Sequence, residues 1–256
     1  MKKFGLLLYG IVNYNLGSSA LVYLIAFLFN PIPAIGILHG IDGGTTDNIW
    51  FAGAVNVGLF VLFGVQHSMT ARNGFKRWLT RFMPKSAERS TYMLATTAVT
   101  YALCLGWEPM PGVVWQADEG LLHNSLLGIG LFGWVLVLYS TFLINHFDLF
   151  GLRQAWLFFK GREYTQLPFA LNSLYKIIRH PIMTGAFIGI WFTPVMTTGH
   201  LLFAIGMSSY ILIGVYHEEK DLIRAFDDRY IRYMQSTSRF VPSWMKRKGD
   251  SAEARV

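Results

Sequence analysis

The chain has 256 residues, of which 53% are hydrophobic and 14% are charged, and its formal net charge is +7 at pH 7. A composition this apolar, with long charge-free runs, excludes an ordinary soluble domain and indicates a membrane protein. The basic excess does not indicate a nucleic-acid partner, because the basic residues are distributed over several loops instead of one soluble patch. The single cysteine, Cys104, can form no intramolecular disulfide.

Four apolar segments in the first part of the chain have the length of membrane spans. They lie at about residues 6–29, 49–67, 91–107 and 121–145. Each is close to the roughly 17 to 25 residues that a tilted transmembrane helix needs.

A longer uncharged stretch, from Pro181 to Tyr216, follows in the last quarter of the chain. At about 1.5 Å per residue it would form a helix of about 54 Å, whereas the hydrocarbon core is about 30 Å thick. The stretch must therefore fold back into a hairpin of two spans. Pro194 and the polar run at residues 197–200 mark the break.

The positive charges test this arrangement of six spans. Every Lys and Arg lies before the first span, between the second and third, between the fourth and fifth, or after the sixth. The charged residues on the opposite side are all acidic: Asp42, Asp47, Glu108, Asp118 and Glu119. The positive-inside rule therefore predicts an all-α, multi-pass membrane protein of about six transmembrane helices, with both termini and the large loops in the cytoplasm.

Two cytoplasmic segments are predicted to do more than connect spans. Residues 146–179, with Gly151, Gly161 and Pro168, form a connection too long for a tight turn between helices, and long connections in compact domains are usually functional. Apolar residues from Glu219 to Met234 recur at helical spacing, which predicts a C-terminal amphipathic helix. Without a repeat or flexible linker, one integral-membrane domain over residues 1–256 is expected.

The two ends of the predicted hairpin are its polar parts. Arg179 and His180 precede it, and Glu218 and Glu219 close it. Because the hairpin starts and ends on one side of the membrane, these residues are expected to lie close together. Two adjacent carboxylates at a membrane boundary need solvent or partners, so they form either a solvated helix end or a binding site.

These motifs resemble a known superfamily. R-H-P-x-x-x-G at residues 179–185, E-E at 218–219 and R-F-x-P at 239–242 resemble the isoprenylcysteine carboxyl methyltransferase and phospholipid methyltransferase superfamily of membrane enzymes. Q-H-S-M-T-A-R from Gln66, E-R-S-T-Y from Glu88 and N-H-F-D-L-F-G-L-R-Q from Asn145 resemble its bacterial methanethiol S-methyltransferase branch. One departure is Ile182-Met183, where the superfamily often has an aromatic residue.

The resemblance implies methyl transfer from S-adenosylmethionine to a small thiol, most simply from methanethiol to dimethyl sulfide, at a bacterial inner membrane. It implies a cofactor-binding part at residues 175–243, with these contacts: Tyr175, Arg179, His180, Pro181, Gly185, Glu218, Glu219, Tyr230 and Arg239. One glutamate is expected to bind the cofactor's amino group or ribose hydroxyls, and the other to pair with an arginine such as Arg239. Gly185, with Gly189, is equally compatible with close helix packing.

A small thiol ionises well above neutral pH, and its thiolate is the effective nucleophile. We expect His146 to accept the thiol proton and Arg153 to stabilise the thiolate, with Asn145 fixing the same segment. The alternative is that the run from Asn145 to Gln154 only ends a span. His67, at the end of the second span, is a second candidate base or a packing residue.

Other functions remain open from the sequence alone. The methyl acceptor could be a lipid-linked molecule, such as an isoprenylcysteine carboxylate or a phospholipid amine. A non-enzymatic haem protein would use His67 and His146 as axial ligands. For the methyltransferase, the expected partners are a small thiol and membrane lipid, with neither metal nor nucleic acid, because methyl transfer needs no metal.

Overall fold

The computed structural model describes residues 2–29, 40–167, 171–242 and 244. Pro168 and Ser243, which entered the sequence predictions, lie outside these residues. The described helices are α1 (Lys2–Leu28), α2 (Ile49–Ala71), α3 (Asn73–Leu79), α4 (Glu88–Leu105), α5 (Leu121–Ile144), α6 (His146–Leu149), α7 (Leu152–Phe159), α8 (Pro181–Trp191), α9 (Thr198–Phe226) and α10 (Asp228–Ser236). Two short strands, β1 (Val113–Gln116) and β2 (Val195–Thr197), complete the elements.

Helices α1, α2, α5 and α9 are long and apolar enough to cross a membrane, with 23 to 29 residues each. They also expose large apolar side chains; Val61 on α2 and Phe132 on α5 are 58% and 59% exposed. Lipid tails are the environment that stabilises such surfaces. The predicted all-α, multi-pass membrane fold is therefore confirmed. The third and fifth predicted spans correspond to the shorter helices α4 and α8.

The chain divides into two compact units, which we describe separately. The first contains Met1–His123, His146–Gln166 and Pro194–Gly206, and the second contains Asn124–Asn145, Leu167–Thr193 and Met207–Val256. One domain over the whole chain stays a prediction.

The first unit is built on α1, which packs against α4 and α7, while α2 packs against α4. Aromatic rings fill its core: Phe203 lies 6.4, 5.3 and 5.8 Å, between ring centroids, from Phe27, Phe60 and Trp107. A buried polar contact lies in the same unit, where Asp42 accepts hydrogen bonds from the Thr197 hydroxyl at 2.7 Å and contacts His200 Nδ1 at 3.2 Å.

The predicted break of the hairpin lies between α8 and α9, and it includes Pro194. There β2 pairs in antiparallel fashion with β1, and the Ala117 amide donates to the Pro194 carbonyl at 2.8 Å. The strands were not predicted. They are three and four residues long, and their pairing joins segments about eighty residues apart, so no local periodicity reveals it.

Glycines set the packing of the second unit. A Cβ added to Gly185 would lie 2.6 Å from the Gly133 carbonyl oxygen, and one added to Gly189 would lie 2.5 Å from the Trp134 indole nitrogen. Helices α5 and α8 therefore approach closely through small residues. For Gly185, the geometry supports the packing alternative. Helix α9 joins α8 through a hydrogen bond of 2.9 Å from the Trp191 indole to the Ser208 hydroxyl.

Two predicted segments differ from the structure. The connection at residues 146–179 is partly helical, since it contains α6 and α7. The amphipathic helix expected from Glu219 to Met234 is interrupted: α9 continues through Phe226, and Asp227, at φ 44°, separates it from α10. Asp is one of the few residues that tolerate a positive φ, and periodicity alone does not detect this. Helix α10 itself is amphipathic, with Tyr230 and Tyr233 buried.

Candidate functional site

Glu219 is the centre of the polar site in the second unit. Its side chain on α9 is 5% exposed, and three positively polarised groups contact it. Arg179 Nε donates to Oε1 at 2.9 Å, His180 Nε2 lies 3.1 Å from the same oxygen, and Arg239 donates to Oε2 at 2.6 Å. Both carboxylate oxygens are thus satisfied, as a buried charge requires.

Arg179 extends this network to the end of α10. Its NH1 group donates to the Met234 carbonyl at 2.8 Å and to the Thr237 carbonyl. The side chain is 8% exposed, so its charge depends on Glu219 for compensation. One guanidinium therefore fixes α9 and the end of α10 to the segment before α8.

Backbone pairing joins the R-H-P and R-F motifs. The amide of Arg179 donates to the Ser238 carbonyl at 2.8 Å, and the amide of His180 donates to the Arg239 carbonyl at 3.1 Å. His180 is not helical, with φ −124° and ψ 63°, because the following Pro181 disfavours the helical conformation before it. Pro181 then starts α8, where its missing N–H leaves no unsatisfied donor.

Glu218 has a different environment from Glu219. Its side chain is 50% exposed, and its Oε2 atom lies 3.6 Å from His180 Nδ1. Neighbouring residues on a helix point about 100° apart, so adjacent glutamates can differ in this way. Glu218 is the carboxylate that retains the capacity to bind a cationic or hydroxyl-bearing ligand.

Tyrosines surround the two glutamates. Tyr230 is 1% exposed, and the Tyr233 hydroxyl donates to the Tyr175 carbonyl. Burial, with the negative charge of Glu218 nearby, raises the pKa of Tyr175 above its ordinary value. Burial also raises the pKa of Tyr233 to about 12. These phenols are therefore neutral at physiological pH and act as aromatic surfaces and hydrogen-bond donors.

His146 lies in the first unit, at the start of α6. It is 5% exposed, its Nε2 atom lies 3.0 Å from the Tyr14 hydroxyl, and its ring packs against Phe150 with 4.6 Å between centroids. Burial lowers the pKa of His146 below its ordinary value of 6.5. The imidazole is therefore neutral at pH 7, which is the state a base requires.

Arg153 binds within its own segment. Its NH1 group donates to Asp148 Oδ1 at 2.8 Å and to the Thr165 carbonyl at 2.9 Å, and its NH2 group donates to the Thr165 hydroxyl at 2.8 Å. The guanidinium also stacks on Tyr164 at 5.2 Å. Because Asp148 balances its charge, this geometry favours a positioning role over binding a thiolate.

The other predicted acceptor residues have clear positions. Asn145 follows α5, and its amide donates to the Thr141 carbonyl at 3.1 Å. His67, on α2, contacts the Tyr92 hydroxyl at 2.7 Å and Thr96 at 3.2 Å. Both His67 ring nitrogens thus have hydrogen-bond partners, which fits a packing residue better than a metal ligand.

Comparison with known proteins identifies the family. No known family model matches the chain, and no solved structure matches it. A methanethiol S-methyltransferase of Mycobacterium tuberculosis is 42% identical over 242 residues, which cover 94% of this chain and 98% of that protein. Methanethiol S-methyltransferase 2 of Bradyrhizobium diazoefficiens is 40% identical over 96% of this chain and 93% of its own length.

The chain belongs to the methanethiol S-methyltransferase family. A more distant relative, the pig protein nurim, is 28% identical over 190 residues, which cover 70% of this chain. The expected resemblance to the methanethiol S-methyltransferase branch is confirmed.

Of the nine residues predicted to contact the cofactor, the structure brings seven together: Glu218, Glu219, Tyr175, Arg179, His180, Tyr230 and Arg239. Pro181 begins α8 directly after His180, and Gly185 packs against α5. Sequence reasoning missed Tyr14, Tyr233 and Phe240, which contact His146, Tyr175 and His180. Phe240 had a local signal, since it is the F of the R-F-x-P motif. The two tyrosines had none, because each contact crosses a large separation in sequence.

We predict that Glu219→Gln destabilises the protein, whereas Glu218→Gln does not. The first change leaves the buried charge of Arg179 uncompensated, which costs about 3 kcal/mol and lowers the melting temperature by about 10 °C. The second neutralises a half-exposed group, so the change should stay within about 0.5 kcal/mol. Thermal unfolding of both variants in the same detergent checks this. Equal melting temperatures would contradict the central role of Glu219.

Proposed function

We propose that this protein transfers a methyl group from S-adenosylmethionine to methanethiol and releases dimethyl sulfide. The observation that carries the proposal is the 40–42% identity to five methanethiol S-methyltransferases over 92–96% of this chain. No feature of the described residues favours a lipid-linked acceptor or a haem. In the part of the chain that the structure describes, no group of three or more His, Cys, Asp and Glu side chains could hold a metal ion.

The residues around Glu218 fit a methyl donor with cationic groups and a ribose. Glu218 would bind the amino group or the ribose hydroxyls, since its carboxylate is half exposed while that of Glu219 is fully engaged. His180 would orient Glu218, which lies 3.6 Å from its ring. When bound, the cofactor supplies an electrophilic methyl group on a positively charged sulfur.

An aromatic contact for the donor would come from Phe240. The position after R-H-P is aliphatic here, Ile182-Met183. The Phe240 ring lies 6.1 Å from the His180 ring and 5.3 Å from the Phe187 ring, between centroids. It therefore presents an aromatic face beside the same motif, which can attract a cationic group.

For the acceptor, we propose that His146 takes the thiol proton. A sulfur–carbon bond then forms as the thiolate attacks the methyl group, and the donor's sulfur–methyl bond breaks. Arg153 and Asn145 would orient the segment that carries His146, with the Arg153 charge held by Asp148. The Tyr14 hydroxyl would orient the imidazole ring.

The first test is an assay of the purified protein with labelled S-adenosylmethionine and three acceptors: methanethiol, a prenylcysteine and phosphatidylethanolamine. We expect label in dimethyl sulfide only. Glu218→Gln should weaken binding of S-adenosylmethionine by about tenfold, the effect of losing one charged hydrogen bond. Arg224→Gln, on the exposed side of α9, should leave it unchanged. Methylation of either lipid-linked acceptor alone would contradict the proposal.

The second test is the pH dependence of His146→Gln. Because burial lowers the pKa of His146 below 6.5, the wild-type imidazole stays neutral at pH 7 and loses its function only in more acidic solution. The variant should lose about 100-fold in turnover near neutral pH. It should recover part of this at high pH, where more thiolate forms without a base.

Tyr14→Phe is the matched control, because it removes the hydrogen bond to His146 but keeps the imidazole. It should retain the wild-type pH profile. A uniform loss for His146→Gln at all pH values would make His146 a packing residue.

The third test concerns topology, because we propose that the protein lies in the inner membrane with both termini in the cytoplasm. A reporter inserted at Gly120 should read outside; this residue is exposed, and an added Cβ there would contact nothing within 4 Å. A reporter inserted near Lys85 should read cytoplasmic. A cytoplasmic signal at Gly120 would contradict the proposed orientation.

A further inference from the structure

A cavity of about 1150 Å³ lies in the first unit, and its lining includes none of the residues assigned above to the methyl donor. Its walls come from the start of α1, from α3, from residues 84–89 and from residues 148–164. Six cationic side chains line it: Lys3, Lys76, Arg77, Lys85, Arg89 and Arg162. Its three carboxylates are Glu88, Asp148 and Glu163, so the lining carries a formal excess of three positive charges.

Most of this positive charge is not used by the fold. Arg89 donates to the Leu149 carbonyl at 2.7 Å. Among the described residues, Lys76 is the only cation of the lining within ion-pair distance of a carboxylate, and it lies 3.9 Å from Glu88. Lys3, Arg77, Lys85 and Arg162 make no ion pair there. Asp148 is already neutralised by Arg153. Clustered, unpaired cations repel one another, so an anion bound among them would stabilise this part of the structure.

The same lining contains buried polar atoms without partners. The Ser86 hydroxyl, Gln154 Oε1 and Glu88 Oε1 are inaccessible to solvent and have no hydrogen bond among the described residues. Of these three atoms, the Ser86 hydroxyl is the one that can donate to an anion, whereas the other two only accept. Buried polar groups normally have hydrogen-bond partners. An unpartnered one often marks the position of a ligand or water. A hydroxyl beside several cations suits the oxygen atoms of a phosphate, which accept from both kinds of donor.

Two exposed aromatic side chains lie close in the sequence to residues that line the cavity. Trp78, on α3, and Phe82, which follows it, are 50% and 73% exposed, with 5.4 Å between their ring centroids. Exposed aromatic residues of this kind mark the boundary between hydrocarbon and water. Lys76 and Arg77 precede Trp78 directly, so cations and interfacial aromatics belong to the same short helix.

We propose that this cavity binds a phosphate-bearing anion, with the headgroup of an anionic phospholipid as the source that the aromatic residues favour. Basic pockets between transmembrane helices on the cytoplasmic side are known to take such headgroups. The methyl donor does not fit the same lining, because its ammonium and sulfonium groups outnumber its single carboxylate and the cations would repel it. The lining therefore suits a ligand other than the methyl donor, and it shares Asp148 with the proposed acceptor segment.

The test uses the full-length protein in detergent, titrated with phosphatidylglycerol, phosphatidylcholine, glycerol 3-phosphate and inorganic phosphate. Binding is measured by native mass spectrometry and by the rise in melting temperature. The cavity variant is Arg77→Gln/Lys85→Gln/Arg162→Gln. The matched control is Arg224→Gln/Arg229→Gln/Arg232→Gln, which removes the same charge from exposed positions on α9 and α10.

We expect phosphatidylglycerol, but not phosphatidylcholine, to bind and to raise the melting temperature of the wild type and the control. Each cation near a lipid surface contributes about fivefold in affinity, so the cavity variant should lose about 100-fold. Glu163→Gln removes a repulsive carboxylate from the lining, and it should strengthen binding by about fivefold. This gain cannot result from misfolding.

The outcomes separate the sources of the phosphate. If glycerol 3-phosphate or inorganic phosphate binds as tightly as the lipid, and the cavity variant loses that binding, the occupant is a soluble phosphate compound. If the cavity variant and the control bind phosphatidylglycerol equally, or if Glu163→Gln brings no gain, the proposal is overturned. Methyl-transfer activity does not enter these measurements, so they succeed or fail independently of the proposed function.

Discussion

The buried carboxylate of Glu219 is the interaction on which the polar part of the second unit depends. An ionised carboxylate removed from water is strongly unfavourable unless its oxygens are hydrogen-bonded and its charge is compensated. Arg179 and His180, from the segment before α8, and Arg239, from the segment after α10, meet both conditions. The R-H-P, E-E and R-F pieces therefore share one centre although they are far apart in the sequence. Backbone pairing between residues 178–180 and 238–239 then holds the R-H-P and R-F segments side by side, so that their side chains contact Glu219.

The two adjacent glutamates have different proposed roles: Glu219 stabilises the fold, and Glu218 binds the ligand. The charge of Glu219 pairs with Arg179 and Arg239, and these contacts stabilise the fold. Glu218 is half exposed, and its one ion-pair contact among the described residues is with His180, which supports the proposal that its charge serves a ligand. A single glutamate could not do both, because the arginines that fix the fold would also neutralise the charge that a cationic ligand needs. His180 contacts both carboxylates, so it couples the position of the binding group to the structural centre.

The membrane fold could be predicted because its signals are local. The lengths of the apolar segments place α1, α2 and α5 within about four residues of their observed bounds, and Pro194 marks the break before α9, which runs to Phe226, beyond the predicted end at Tyr216. The convergence of Arg179 and Glu219 followed from the hairpin argument. What could not be predicted depends on contacts between distant residues. Asp148 is close to Arg153 in the sequence, but nothing near Arg153 indicates Thr165 as its other acceptor, and nothing near His146 indicates Tyr14. The break at Asp227 depends on one residue that adopts a positive φ, a choice that helical periodicity does not record.

The proposed topology also explains why the site needs two acidic residues. Membrane insertion favours Lys and Arg in cytoplasmic segments, and in the proposed topology all 22 basic residues lie in such segments. A site on that side would form in a positive electrostatic field, which attracts anions and repels a cationic methyl donor. The unpaired cations around the cavity of the first unit are one source of that field. A locally negative site in such a field needs a carboxylate whose charge is not neutralised by a neighbouring arginine. With Glu219 bound by Arg179 and Arg239, the proposed donor site depends on the second carboxylate, Glu218, for its negative charge.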